Sequence, residues 1–399
     1  MNASAERTDI RALVTLLAVI FLNIAGFGVV IPLLPFFGHA FDAEAWQITL
    51  LFSAFSFGQF LGEPFWGRLS DRIGRRPVLM ITIAGGALSY IALAFSPNMA
   101  LAWGARFVGG FLSGNISTLQ GALADMTPPH ERAAKMGLMG SAFSLGFMTG
   151  PALGGLLAQP QLGPVGFHLP LFAAAGFGLA SALAVMLFVR EIRAPNRHGP
   201  QSSRIAALRD AFAHPVVSRV LIISFVVVSG FAGIEATYGL WTEHRFGWGP
   251  RQIGFAFMAI GIFGAICQGV VNGRLVRRWG EVRVLTVGLA FMWIGMVLQG
   301  ASINWPMAMA GFACVCFGQS VCFPNLSALI SKAAPADRQG EMLGINMSCN
   351  ALARIGGPIY AGQIFSAVSP GAPFALTALL ILPAAWLAVQ VGKRVKTAI

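Results

Sequence analysis

The chain has 399 residues, 56% of them hydrophobic and only 11% charged, with a mean hydropathy of +0.71 and a formal net charge of +12. Soluble domains carry roughly 25% charged residues. Too little polar material is present to coat a soluble core of this size, so the bilayer is the expected solvent. A surplus of positive charge can signal nucleic acid, but its placement along this chain excludes that reading.

A membrane-spanning helix needs about 20 mainly apolar residues. The polar start, Met1 to Arg11, leads into a first run at about 13–37, which is too long for a cleaved signal peptide and contains Pro32 and Pro35. Further runs follow at about 47–66, 77–96, 98–121, 134–158 and 170–189. A polar stretch from Arg190 to Arg219, with Pro195, Pro200, Ser202 and Ser203, reads as a linker. Six more runs lie at about 217–240, 250–272, 282–301, 305–330, 341–366 and 372–392. The expectation is an all-α integral membrane protein of twelve transmembrane helices. Its domains are a six-helix bundle at 1–190, a cytoplasmic linker at 191–216 and a second bundle at 217–399.

With both termini placed in the cytoplasm, 23 of the 27 Lys and Arg fall in inside loops and tails. Only Arg245 and Arg251 fall outside, and Arg106 and Arg354 lie within spans. This is the positive-inside pattern, and it explains the +12 by contact with an anionic lipid surface. Nucleic acid is therefore not an expected partner.

Two strings mark an internal duplication. Gly67-Arg68-Leu69-Ser70-Asp71-Arg72-Ile73-Gly74-Arg75-Arg76-Pro77 is answered 206 residues later by Gly273-Arg274-Leu275-Val276-Arg277-Arg278-Trp279-Gly280. Gly150-Pro151 in the fifth span is matched by Gly357-Pro358 in the eleventh. Six spans per half return the chain to the same face, so the halves are expected to be parallel repeats about an axis along the membrane normal, as in secondary transporters. The first string reads as a tight charged turn. Gly67 and Gly74 allow close packing or positive φ, and Asp71 is placed either to cap a helix start or to face another helix's positive N-terminal end. The 48 glycines suit membrane helices that approach closely and slide.

The first string resembles the loop signature G-x-x-x-D-R-x-G-R-R of the major facilitator superfamily. Ala105-Arg106-Phe107-Val108-Gly109-Gly110 is similar to the fourth-span arginine motif of its twelve-span drug:proton antiporters. Gly146-Phe147-Met148-Thr149-Gly150-Pro151-Ala152-Leu153-Gly154-Gly155 resembles their fifth-span signature. Pro32-Leu33-Leu34-Pro35 closes the first span as in many members. Arg245-Phe246-Gly247-Trp248 and Asp337-Arg338-Gln339-Gly340 resemble the tetracycline efflux branch.

The resemblance implies that Gly67, Asp71, Gly74, Arg75 and Asp125 belong to a conformational latch between the halves. It implies that Gly146, Gly150, Pro151, Gly154 and Gly155 make a kinked, close-packed helix that prevents leakage, and that Arg106 lies near the proton path. It also implies a monomer. Three departures argue against tetracycline itself: where that branch carries aspartates, this chain has Asn23, Ser89 and, roughly, Met292.

A charge in the bilayer costs about 2.5–3.5 kcal/mol even on the lenient insertion scale, so intramembrane charges are functional candidates. The proton-coupling candidates are Arg106, Glu235 in the seventh span and Arg354 in the eleventh. Burial favours a neutral Glu235 and a nearby arginine an ionised one, which is the competition a proton switch requires; a static ion pair, or a position near the outer surface, is the alternative. Arg106 read structurally is a residue paired to backbone carbonyls. Asn23, Gln319 and Asn325 are candidate substrate-cavity hydrogen bonders. The 32 Phe and 15 Met suit a loosely specified lipophilic ligand, though lipid contact explains most of them.

No nucleophile elbow and no phosphate-binding loop is present, so neither enzymatic chemistry nor ATP drive is expected. The five cysteines form neither a disulfide framework nor a zinc pattern, the six histidines are scattered, and no metal or cofactor is expected. The reading is proton-driven efflux of a small lipophilic drug or metabolite, energised by the proton gradient, from a bacterial inner membrane. The alternatives are a symporter or uniporter importing a nutrient, and a receptor that binds without transport.

Overall fold

The computed structural model describes residues 10–128, 131–189, 191, 204–335 and 338–397. Much of the expected linker and Asp337 of the Asp-Arg-Gln-Gly string lie outside them. Among the described residues the protein is all-α, without a strand. The helices gather into two compact units, Met1–His198 with Gly249–Met258, and Gly199–Trp248 with Ala259–Ile399.

The first unit opens with α1 (Ile10–Val30), which passes through a tighter turn at Ile31–Leu33 into α2 (Leu34–His39). Pro32 and Pro35 stand in the first turns of these short segments, where their missing N–H costs no helical bond. Next come α3 (Ala45–Ile73), α4 (Arg75–Ala94), α5 (Met99–Leu112), α6 (Ile116–Asp125), α7 (Arg132–Leu157) and α8 (His168–Phe188). Glu44 and Gln47 form a capping box at the start of α3, with the Glu44 N–H donating to Gln47 Oε1 at 2.8 Å. Asn98 caps α5 by accepting from the Leu101 N–H.

The second unit contains α9 (Arg204–Ala213), α10 (Pro215–Phe246), the C-terminal part of α11 (Pro250–Ile266), α12 (Asn272–Trp279), α13 (Glu281–Gly300), α14 (Trp305–Ala333), α15 (Gln339–Ala367) and α16 (Ala372–Thr397). A wide π turn at Cys267–Val271 joins α11 to α12.

The duplication read from the two basic strings recurs in the packing. In the first unit α1 packs on α7 and α8, and α4 on α5 and α8. In the second, α10 packs on α15 and α16, and α13 on α14 and α16. The hinge glycines repeat as well. Gly74 (φ 103°, ψ 159°) ends α3 and starts α4, and Gly280 (φ 76°, ψ 162°) does the same between α12 and α13. They are 206 residues apart.

Eight helices or helix runs among the described residues are long and apolar enough to cross a membrane. Three more, α3, α7 and α15, have 29, 26 and 29 residues; they meet the length and are diluted by glycine and polar side chains. The fourth expected span is divided into α5 and α6. The twelve-span expectation is consistent with this order.

Three local expectations need correction. The string from Gly67 is not a turn: α3 continues through Asp71 to Ile73, and the chain reverses only at Gly74. The apolar run ends near Trp66 while the helix continues through exposed charged residues to Ile73, which a hydropathy reading cannot see. Asp71 therefore caps no helix start and sits in the last turn of α3. The span at 98–121 is not continuous, because Ser113 to Asn115 interrupt it. Gly114 there is pressed against the backbone of Gly62 and Glu63, and Asn115 donates to Thr82 Oγ1 at 3.0 Å.

Candidate functional site

The α3–α4 junction brings Asp71, Arg75 and Asp125 together. Arg75 Nη1 lies 2.7 Å from Asp71 Oδ1, across the Gly74 reversal, and Nε lies 3.3 Å from Asp125 Oδ2 at the end of α6. Nη1 also donates to Ser70 Oγ at 2.6 Å, and Ser70 donates in turn to Gly67 O. Gly121 of α6 lies directly under the Arg75 guanidinium, where a Cβ would collide with it. The Arg75 side chain is 12% exposed and that of Asp71 59%, so the Asp71 pair is solvated and contributes under about 1 kcal/mol of stability. Gly67 stays helical and faces Ser117 Oγ, whereas Gly74 takes the positive φ.

Arg76 Nη2 donates to Met186 O at 2.5 Å, tying α4 to α8. The second unit has its own polar tie. Arg338 donates to Glu341 Oε2 at 2.7 Å and Asp210 Oδ2 at 3.0 Å, joining α9 to the foot of α15. These hydrogen bonds hold its guanidinium above the ordinary range. Lys332 donates to Glu281.

The glycine motif of α7 forms a seam. Gly146, Gly150 and Gly154 recur every fourth residue, the spacing of one helix face. A Cβ on them would strike, respectively, Phe21 O, Ala25 O and Val29 O of α1. Gly155 faces another way, onto Pro250 O and the Arg251 Cα at the start of α11, while Gly254 of α11 rests on Pro151 O. A second seam joins α3 to α5, where Gly58, Gly62, Gly110 and Gly114 meet opposing backbone and Trp66 Nε1 donates to Phe111 O at 2.8 Å.

Arg106 of α5 is 3% exposed. Its Nε donates to Leu51 O at 3.2 Å, and its guanidinium carbon lies 4.4 Å from the ring centre of Phe55. Phe55 packs on Phe27 with centroids 5.0 Å apart. Asn23, by contrast, borders a narrow cleft with Thr82, Tyr90, Ser113 and Asn115.

Glu235 is half-buried inside α10. Arg354 of α15 is the charged group acting on it, but Arg354 is exposed, and no ion pair within 4.0 Å links them among the described residues. The two helices touch nearby, where Gly233 meets Ala361 and Gly357 O. Tyr360 OH donates to Ser229 O at 3.4 Å and lies 3.1 Å from Thr377 Oγ1.

Asn325 turns out to be committed elsewhere. Its Nδ2 donates to Asn272 Oδ1 at 2.8 Å and to Val321 O at 2.6 Å, so it clamps α14 to α12 rather than offering its donors to a cavity. Gln319 Oε1 is buried without a partner. Sequence reasoning passed over Asn272, Asn115, Tyr90 and Tyr360. The signal for Asn272 was a polar residue in an apolar run, but its pairing depends on the π turn at Cys267–Val271. The five cysteines carry no disulfide, and no cluster of three or more His, Cys, Asp or Glu suited to a metal occurs among the described residues.

Against known proteins, residues 16–297 and 220–397 match the family model described as Major Facilitator Superfamily. The class C tetracycline resistance protein of Escherichia coli is 30% identical over 365 residues, covering 90% of each chain. Multidrug resistance protein 2 of Bacillus subtilis (strain 168) is 28% identical over 88% of each chain. The quinolone resistance protein NorA of Staphylococcus aureus (strain MRSA252) is 27% identical over 87% of this chain and 88% of its own. Among solved structures, the human organic anion transporter MFSD10 (TETRAN) superposes with a TM-score of 0.68 at 26% identity, covering 96% of this chain and all of that one. A bacterial homologue of the lysosomal transporter Spinster, inward-facing and unoccupied, reaches 0.79 at 14% identity, a likeness of fold alone.

Proposed function

The chain belongs to the major facilitator superfamily, and from that premise we propose that it exports a small lipophilic drug or metabolite across a bacterial inner membrane in exchange for protons. The observation that carries this reading is the set of drug-resistance proteins to which it is similar over about nine-tenths of both chains. The α7 glycine seam supports it physically. Three small residues at one-turn spacing let two backbones approach and slide without side chains interlocking.

In this reading the chain is a transporter and not an enzyme. The chain is organised as two six-helix bundles, residues 1–190 and 217–399, with both termini in the cytoplasm. Lipid surrounds a monomer, and the proton gradient supplies the energy. Glu235 carries the exchanged proton, because it is set well inside α10, whereas Glu243 stands in that helix's last turn. Asp71, Arg75 and Asp125 hold one end of the carrier closed in one state and release it in the other. An exposed ion pair suits that role, since a strong one would trap the state it stabilises.

The test is drug susceptibility of a bacterium lacking its own efflux pumps and expressing this chain, with and without a protonophore. Resistance that collapses with the protonophore supports proton-driven export. No resistance across a broad panel, with the protein present in the membrane, rejects it.

A further inference from the structure

We propose that the first unit holds an anion-recognising subsite built on Arg106, so that the molecule carried bears a carboxylate or a similar acidic group. The inference rests on the export reading for its setting, but its chemistry comes from the interior of one unit. Arg106 is a buried guanidinium, and among the described residues no carboxylate lies within ion-pair distance of it. Its visible partners are the Leu51 carbonyl, reached by Nε, and the face of Phe55. The two terminal nitrogens have no hydrogen-bond partner among the described residues and are not sealed off. A guanidinium presents five donors and stays charged at any physiological pH. A buried charge without a counter-ion is strongly destabilising, so this arrangement favours an anion arriving from outside.

The surroundings select the same chemistry. Tyr90, within electrostatic reach of Arg106, lies on the wall of the cleft between α1, α4, α8 and the α5–α6 interruption. That wall contains no acidic residue. Thr82 and Asn115 are bonded to one another, whereas the side-chain polar groups of Asn23, Tyr90 and Ser113 make no hydrogen bond among the described residues, which leaves neutral donors for an oxyanion. Arg106 does not itself line this cleft; Tyr90 is the wall residue that stands between the cleft and the guanidinium. Phe55 lies beneath the guanidinium and packs on Phe27, so the surroundings of the charge are apolar. A cationic ligand would meet an uncompensated positive charge in the same place.

The experiment compares three probes of matched shape on the purified full-length protein in neutral detergent: 2-naphthoate, its methyl ester and 2-naphthylmethylamine. The readout is the ligand-induced shift in melting temperature, titrated to an apparent Kd. The expected result is tightest binding of the carboxylate. Arg106→Gln weakens the carboxylate by about tenfold or more, the scale of one charged hydrogen bond, and leaves the ester unchanged. Arg106→Lys retains part of the preference, and Asn23→Asp, which supplies an internal counter-charge, removes it.

Equal binding of the three probes, no binding of the carboxylate, a preference for the amine, or a carboxylate preference that survives Arg106→Gln would overturn the proposal. Titrating phosphatidylglycerol in place of the probes separates a lipid headgroup from a solute. An Arg106-dependent shift with that lipid, and none with naphthoate, also overturns it. Because binding is read without transport, carboxylate selectivity in a chain that confers no resistance would sink the export reading alone.

Discussion

Replacing Gly150 by alanine tests whether the α1–α7 seam holds the first unit together. The new Cβ would meet Ala25 O and stand 2.8 Å from the Gly28 Cα. Both neighbours are backbone, so no side chain can swing aside and the helices must part. Overpacking of this kind costs about 1–3 kcal/mol. Gly140, on the same helix, supplies the control, since nothing lies within 4 Å of a Cβ added there. Alanine at that position gains only helix propensity, about 0.8–1.0 kcal/mol. The same gain applies at Gly150 and cancels in the comparison, so the two variants should differ by about 1–3 kcal/mol. Where the seam is already parted at the unfolding barrier, this is roughly a 5- to 150-fold difference in inactivation rate. The assay is the half-life of the folded monomer in detergent at a fixed elevated temperature, read by size exclusion. Gly150→Ala should be shorter-lived than the unmodified protein and Gly140→Ala equal or longer-lived. Equal half-lives for the two variants would refute the seam.

Asp71→Asn should leave the melting temperature within about a degree, because an exposed pair contributes under about 1 kcal/mol. The same change should abolish export, and a variant that keeps full export would remove Asp71 from the latch. Gly280→Ala should cost about 1–3 kcal/mol from its backbone conformation alone, a region essentially reserved for glycine. Gly74→Ala should cost about as much in the same thermal unfolding measurement, because its Cβ meets only the exposed end of the Glu191 side chain, which can turn aside; a much larger loss at Gly74 than at Gly280 would contradict the geometry. For the Asn272–Asn325 clamp, a double-mutant cycle with alanine should give a coupling near 0.6 kcal/mol and no more than about 1.7. A coupling of zero would mean that the hydrogen bond does not hold α12 to α14.

Much of the architecture was legible because the bilayer imposes a length rule on apolar runs, and because the duplication repeats Gly74 at Gly280 with the same spacing as the basic strings. The illegible parts were places where tertiary contact overrides that rule. Nothing in the composition of 98–121 announces that Gly114 must break the helix to seat against Gly62. The charged ends of α3 and α12 are helical in water, where hydropathy is silent. At the site, the closeness of Asp71, Arg75 and Asp125 was implied by family resemblance and not by spacing, since Asp125 lies 50 residues from Arg75. Asn325 looked like a cavity residue because the π turn that presents Asn272 to it leaves no mark in the sequence. Glu235 and Arg354 were each visible as charges in apolar runs, but their separation depends on how α10 and α15 cross.

The central claim is exchange of protons for an exported compound through Glu235. The most direct measurement reconstitutes the purified chain in proteoliposomes with a pH-sensitive dye trapped inside and adds a compound to which the chain confers resistance. The compound is expected to drive proton movement in the opposite direction, a collapsed pH gradient to stop its accumulation, and Glu235→Gln to bind the compound but move no protons. Compound movement that ignores the pH gradient, or proton exchange that persists in Glu235→Gln, would contradict it.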